Sequence, residues 1–302
     1  MKNKRKILLT FLIAYFLGGC SSGASEDEPT PEPPIVPKIP ISLNCTVSAN
    51  TRVSDTGFDK DDQIGLYVVN YNGSTPEALL PSGNVVDNMR FTYNEKWTPA
   101  SAIYWKDDVT PADFYCYYPY AIPTDITAHA FSLKTDQSTL TDYKASEFLY
   151  GKTTNVSPTE NAVNITIIHL FSCAIVKVVP GNGFTEESLA ASNISVMLNG
   201  CKTHASINLK DGSVTATGET GSISPLKEEK HYKALVVPQT VQADNFITVT
   251  VDGREFNLKK EFTFVGGKRH PFTVTVSKTS NGINVGIGAW EDDNVDNGGT
   301  AE

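Results

Sequence analysis

Ile41-Ser42-Leu43-Asn44-Cys45-Thr46-Val47-Ser48-Ala49-Asn50-Thr51-Arg52 carries apolar residues at every odd position from 41 to 49, with polar residues between them. A period of two sends alternate side chains to opposite faces, so the stretch reads as a β-strand with one buried face. It is the first element expected to be ordered, and it ends in Thr51-Arg52, a protease-sensitive kind of sequence. The strand is either a fixed part of the fold or a removable plug, and that choice decides how the rest of the chain is understood.

Upstream lies targeting sequence. Lys2, Lys4, Arg5 and Lys6 form a basic start, and Ile7 to Leu17 is an apolar run of signal-peptide length, too short to span a bilayer. Leu17-Gly18-Gly19-Cys20 resembles the bacterial lipobox, in which small residues precede a cysteine that is lipidated and becomes the new N-terminus. This assigns 1–19 to a signal peptide and Cys20 to lipidation; the alternative is an ordinary signal peptide with an incidental cysteine. Residues 20–40 are rich in Ser, acid and Pro (Pro29, Pro31, Pro33, Pro34, Pro37, Pro40) and read as an extended tether without a core. Fully polyproline-like, about twenty residues at roughly 3.1 Å each would reach on the order of 60 Å.

Downstream, the signals are those of strands and turns. The acidic link Asp55 to Asp62 lacks the alternating ligands, sixth-position glycine and twelfth-position glutamate of a calcium loop, so it reads as a solvated loop before Ile64 to Val69. Met89 to Tyr93 alternates, Ala102 to Trp105 is β-prone, and Phe114-Tyr115-Cys116-Tyr117-Tyr118-Pro119-Tyr120 is the densest aromatic run. Exposed aromatics there could stack on sugar rings. In the other reading Phe114, Cys116 and Tyr118 face inward, while Tyr115 and Tyr117 cover the opposite face or an interdomain contact. The polar stretch Thr153 to Asn161 gives the best domain boundary, and Val163 to Val179 reads as one long or bent strand, with His169 a hydrogen-bonded core or interface residue. Asp211-Gly212, Asp252-Gly253 and Asn281-Gly282 mark hairpin turns between alternating segments. Only Thr185 to Ala191 reads as a short helix, capped by Thr185. The fold class that follows is all-β, an antiparallel sandwich. It is divided into an N-terminal domain over 41–160, a C-terminal domain over 161–290 and an acidic, disordered tail over 291–302.

Chemistry is harder to find. The chain of 302 residues carries a net charge of −9, and removing the four cations of the first nineteen residues leaves 21 cations against 34 acids, or −13. Such a surface repels phosphate backbones and argues against nucleic acid. The five histidines are scattered, with no H-E-x-x-H, no metal-ligand spacing, no G-x-S-x-G and no phosphate-binding glycine loop. No catalytic, cofactor-binding or metal-binding residue is assigned, and an enzyme is not expected. Cys45, Cys116, Cys173 and Cys201 form no C-x-x-C pair. Buried thiols are the default, although an exported chain could pair them.

The landmarks, taken together, resemble one family. The lipobox, the early strand ending in Thr51-Arg52, Phe58 followed by Asp62-Gln63-Ile64-Gly65-Leu66-Tyr67, and Tyr104-Trp105 come first. The aromatic strand to Tyr118-Pro119-Tyr120 and His169-Leu170-Phe171-Ser172-Cys173-Ala174-Ile175-Val176 follow. Val236-Val237-Pro238-Gln239-Thr240, Phe264-Val265-Gly266-Gly267-Lys268 and Trp290 complete the set. In this order they are similar to the fimbrillin-like (Mfa-like) surface lipoproteins of Bacteroidales, subunits of type V pili. Glu26-Asp27-Glu28 loosely resembles the surface-export signal of such lipoproteins.

The resemblance implies two tandem transthyretin-like β-sandwich domains and a role as a fimbrial structural subunit or accessory tip or anchor component in cell adhesion. It places the chain at the cell outer membrane, held by the Cys20 lipid, and in the fimbrium. It also implies cleavage after Arg52 by a trypsin-like or Arg-specific protease, loss of the first strand, and its replacement by a strand from another fimbrillin subunit. The tail after Trp290 offers a donor only Val295, so donation would use the Ile283–Trp290 strand, or the chain accepts a strand without giving one. The competing expectation is a non-polymerising surface lipoprotein that binds a glycan or host protein.

Overall fold

The structure, a computed structural model, describes residues 38–48, 57–229, 231–242, 244–278 and the backbone of 286–287. The signal peptide, Cys20, the segment holding Arg52, the Asn281-Gly282 turn, Trp290 and the acidic tail lie outside the described residues. The first strands are β1 (Leu43–Val47), β2 (Gln63–Asn72), β3 (Thr75–Pro76), β4 (Val86–Asn94), β5 (Lys96–Pro99), β6 (Ala112–Tyr118) and β7 (His129–Ser132). After helix α1 (Leu140–Lys144) come β8 (Leu149–Val156), β9 (Val163–His169) and β10 (Ser172–Pro180), then helix α2 (Glu186–Ala190). The last part holds β11 (Ile194–Asn208), β12 (Ser213–Ile223), β13 (Leu226–Lys227), β14 (Tyr232–Val236) and β15 (Thr240–Val241). It closes with β16 (Ile247–Val251), β17 (Arg254–Leu258), β18 (Phe262–Thr263), β19 (Arg269–Val276) and β20 (Gly286–Ile287).

An eight-stranded sheet in the order β1-β9-β8-β6-β2-β4-β5, with β3 on β2, builds the first half. It is antiparallel except at its edge, where β1 runs parallel to β9. The sheet curls around one core, filled by Ile41 just before β1, from β1 by Leu43 and Cys45, from β2 by Ile64, Leu66 and Val68, and from β9 by Val163, Ile165 and Ile167. Two five-stranded sheets, β13-β14-β10-β19-β20 and β12-β11-β16-β17 with β7 on β11, sandwich a second core around Val176, Leu198, Phe246, Val249 and Val274. The all-β sandwich architecture is as expected.

The aromatic strand resolves cleanly. Phe114 and Cys116 face the first core, and the alternate residues Tyr115 and Tyr117 join Tyr67, Val69 and Tyr150 in a third core. Leu170, Phe171, Cys173, Ile207 and Leu235 close that third core from the other half. Tyr115 is 6% exposed and Tyr117 1%, so neither can stack on a sugar. The glycan reading loses the surface it depended on.

Several boundaries differ from the sequence reading. The polar stretch 153–161 spans the end of β8 and the turn into β9, and β9, which follows the expected 160/161 boundary, pairs with β1 and β8 of the first sheet. Val163–Val179 is two strands in different sheets. Odd residues 163, 165 and 167 face the first core and even residues 174 and 176 the second, and the switch is made at Leu170-Phe171, both buried between the halves. In return, β7 lies within the expected N-terminal domain but pairs with β11 of the second half. Residues just before Ile41 also contact the body, since Trp105 N–H donates to the Ile39 carbonyl at 3.0 Å. Ala102–Trp105 is a single bridge from Tyr104 to Pro40 and not a strand.

Turns and caps follow local chemistry. Asp252 and Gly253, with φ of 50° and 80°, form a two-residue turn between paired Val251 and Arg254. At Asp211-Gly212 the flanking pair is Asn208 and Ser213, so the loop has four residues and only Gly212 needs positive φ. Helix α2 has its Thr185 cap, whose hydroxyl accepts from Ser188 N–H while the Ser188 hydroxyl answers from Thr185 N–H. Helix α1 is an unexpected second helix, capped by Thr139.

Candidate functional site

The first strand occupies a groove along the edge of the first sandwich. Its register against β9 pairs Leu43 with Val163, Asn44 with Asn164, Cys45 with Ile165, Thr46 with Thr166 and Val47 with Ile167. Ile41, Leu43 and Cys45 are buried, while Ser42, Asn44 and Thr46 face out. The outward face carries a ladder of its own, in which the Asn44 amide donates to the Asn164 amide oxygen at 2.8 Å. Ser48 N–H donates to the Ile167 carbonyl at 2.9 Å and Val163 N–H to the Ser42 carbonyl at 2.8 Å, closing both ends.

The strand is held from its other side as well. Ile41 N–H donates to the Ile103 carbonyl at 2.9 Å, and the indole N–H of Trp97 on β5 donates to the Cys45 carbonyl at 3.1 Å. Segment 39–48 therefore bridges β9 and the 97–105 region, the two margins of the groove. Among the described residues it is the first strand, and its ladder joins it to a single neighbour, β9. Its departure would strip the β9 edge and open an apolar trough.

The magnitudes are substantial. Burial of Ile41 and Leu43 contributes on the order of 1.5–3 kcal/mol each, an upper estimate. Each ladder bond adds about 0.5–1.5 kcal/mol net. Against the roughly 5–15 kcal/mol that stabilises a typical domain, the strand is a large fraction.

A cleft of about 590 Å³ opens where β1 ends, lined by Val47, Phe58, Tyr118, Leu149 and His169 among others. Its rim is acidic but internally paired. Lys144 Nζ lies 2.6 Å from Asp59, His169 Nδ1 lies 2.9 Å from Glu147, and the Tyr118 hydroxyl donates to Asp62 at 3.2 Å. Burial raises the Asp62 carboxyl above the ordinary range, partly offset by the Asp59 N–H it accepts. The His169–Glu147 contact fulfils the expected role of a hydrogen-bonded interface histidine.

The sequence reading did not place Cys116 against Cys45, Trp97 against the strand's carbonyl, or β9 as its partner. Among the described residues no group of three His, Cys, Asp or Glu side chains is arranged to hold a metal. Cys20 and Arg52 lie outside them.

A family model described as fimbrillin-like matches residues 51–290. This chain belongs to the fimbrillin-like family. Members are structural adhesion proteins, not enzymes. The match starts beside Arg52 and leaves β1 outside it. A relative named "Putative fimbrium subunit Fim1C", from Bacteroides uniformis, is 24% identical over 301 residues, covering 95% of each chain. The fimbrillin-like fold is also shared with the crystal structure of "a putative cell adhesion protein" from Bacteroides uniformis, with a TM-score of 0.60 and 20% identity over 82% of this chain and 96% of that one. A second such structure, from Bacteroides ovatus, gives a TM-score of 0.65 and 16% identity over 83% and 96% of the two chains.

Proposed function

We propose that this fimbrillin-like chain is a fimbrial subunit, as a structural or accessory tip or anchor component, that accepts a strand from another subunit after losing β1. One observation carries the reading: among the described residues β1 is an edge strand whose ladder joins it to β9 alone, and segment 41–45 fills an apolar groove with Ile41, Leu43 and Cys45. Cleavage after Arg52 would cut the strand from the body, leaving nearly the span that the family model covers. An empty groove with an unpaired edge would aggregate, and an incoming strand of alternating apolar residues restores both ladder and core. The Cys20 lipid would hold the chain at the cell outer membrane until it is cut. The fimbrial role also agrees with the name carried by the Bacteroides uniformis relative.

Treatment of the purified full chain with an Arg-specific protease under reducing conditions tests this directly. Detergent-resistant ladders on gels and filaments under negative stain are expected, with Arg52→Ala remaining monomeric. Ladders that persist in the alanine variant remove Arg52 from the process, and cleaved chain that stays monomeric removes strand exchange. Cys20→Ser should shift the chain from the membrane to the soluble fraction.

A further inference from the structure

The strand in the groove carries a thiol that meets another. Cys45 lies at the middle of β1, opposite Ile165, and Cys116 lies on β6 between Leu66 and Gly151. Their sulfur atoms are 3.8 Å apart, and both residues are buried. In the sheet β1 and β6 are separated by β9 and β8, so the two thiols meet across the core and not along a ladder. The other two described cysteines have different company: the Cys173 sulfur meets the Tyr143 hydroxyl at 3.6 Å and the Cys201 sulfur the Asn199 carbonyl at 3.7 Å.

We propose that Cys45 and Cys116 form a disulfide in the exported protein, tying the first strand covalently to the centre of the groove it fills. The sulfurs must close by roughly 1.8 Å to reach bonding distance, less than a sulfur travels between χ1 rotamers. An exported chain folds in a compartment where disulfides form and persist. The step is thiol–disulfide exchange. One cysteine thiolate attacks a small-molecule or oxidoreductase disulfide, releasing one thiol and leaving a mixed disulfide. The second cysteine then attacks that bond, releases the other thiol and joins Cys45 to Cys116, so the two electrons and two protons leave with the oxidant. The hydrogen bond with Cys45, together with burial, holds the Cys116 thiol well above its ordinary pKa in the closed core. Exchange therefore belongs to the open state, before β1 docks.

The consequence rests on the strand-release reading above. In the oxidised chain, cutting after Arg52 severs the backbone but leaves the strand bonded in place, so the groove stays closed to a donor until a dithiol reduces the link. Polymerisation then requires two events, a cut and a reduction.

The test uses the full chain, both exported to a bacterial periplasm and, separately, refolded in mixed reduced and oxidised glutathione. Each sample is trapped with N-ethylmaleimide in denaturant and digested for mass spectrometry. A linked Cys45–Cys116 peptide pair is expected in most molecules, with Cys173 and Cys201 alkylated. Alkylation of Cys45 and Cys116 to the same extent as Cys173 and Cys201 in both samples overturns the proposal. A portion is also cut with an Arg-specific protease and run without reductant. The fragment ending at Arg52 should stay attached, come away with dithiothreitol, and come away without it in Cys45→Ser. Release of that fragment from wild-type chain without reductant also overturns the proposal. A link found in chain that is never cut after Arg52 supports the disulfide and defeats the strand-release reading instead.

Discussion

Trp97 reaches from β5 across the open side of β1 and donates its indole N–H to the Cys45 carbonyl at 3.1 Å. It is the hydrogen bond that fixes the middle of the first strand from the side opposite β9. Trp97→Phe keeps an aromatic side chain and removes the donor, orphaning a buried carbonyl at a cost of about 1–2 kcal/mol. Hydrogen exchange of the 43–47 amides in uncut chain should then quicken by roughly 5–30-fold. Unchanged protection would mean that the bond contributes nothing to strand retention.

The two faces of the first strand should respond differently to truncation. Leu43 is buried in the first core, and Leu43→Ala should cost about 2–5 kcal/mol in denaturant unfolding. Thr46 points outward, and Thr46→Ala should change stability by no more than about 0.5 kcal/mol. Equal costs would place the register one residue away from the one described.

Gly151 on β8 is a glycine of necessity. A Cβ there would collide with the Thr166 carbonyl of β9 and lie 2.9 Å from Ile167 Cγ2. Gly151→Ala should push β9 outward, cost about 1–3 kcal/mol and loosen the grip on β1, read as faster Arg-specific cutting. Gly221 has open space around its Cβ position and ordinary φ, so Gly221→Ala serves as the neutral control in the same assay.

Acid should weaken the contact between the halves. His129 packs beside Tyr117 and Phe148, with ring centroids 6.1 and 5.8 Å away, and burial holds its pKa below the ordinary imidazole value. A depressed pKa means that the unfolded chain takes up the proton first. The contribution is present above about pH 6.5 and is lost as pH falls from there through the folded value. His270, also lowered chiefly by burial, has the same sign. The denaturation midpoint should drop between about pH 7.5 and about pH 5, and by less in His129→Gln. An identical drop in the variant would assign the acid sensitivity to other groups.

Much of this fold is visible as periodicity. The alternation of Ile41 to Val47, the inward Phe114 and Cys116 with Tyr115 and Tyr117 behind them, and the Asp252-Gly253 turn are local patterns with local causes. What escapes is pairing at a distance. Nothing in Leu43–Val47 names β9, 120 residues away at Asn44–Asn164, as its parallel partner. The exchange of β7 and β9 between halves is likewise a matter of topology, which composition near residue 160 cannot report. Two misses did leave a trace. The buried positions of Val163–Val179 change from odd to even around Leu170-Phe171, which one uninterrupted strand cannot accommodate. Thr139-Leu140-Thr141-Asp142 has the spacing of a helix start, but the five-residue helix it opens is too short to show a period. The groove's furniture, Trp97 over Cys45 and Cys116 beneath it, is tertiary and has no sequence signature.

The parallel register of β1 on β9 has a mechanical meaning. If a strand from a neighbouring subunit takes the place of Leu43–Val47, tension along a filament acts lengthwise on it. Such a load shears the whole ladder from Leu43–Val163 to Val47–Ile167 at once, whereas a pull across the strand would unzip its bonds one by one. The alignment of the strand along β9 would then set the strength of the joint, and single-molecule pulling along the strand axis and across it would measure the difference.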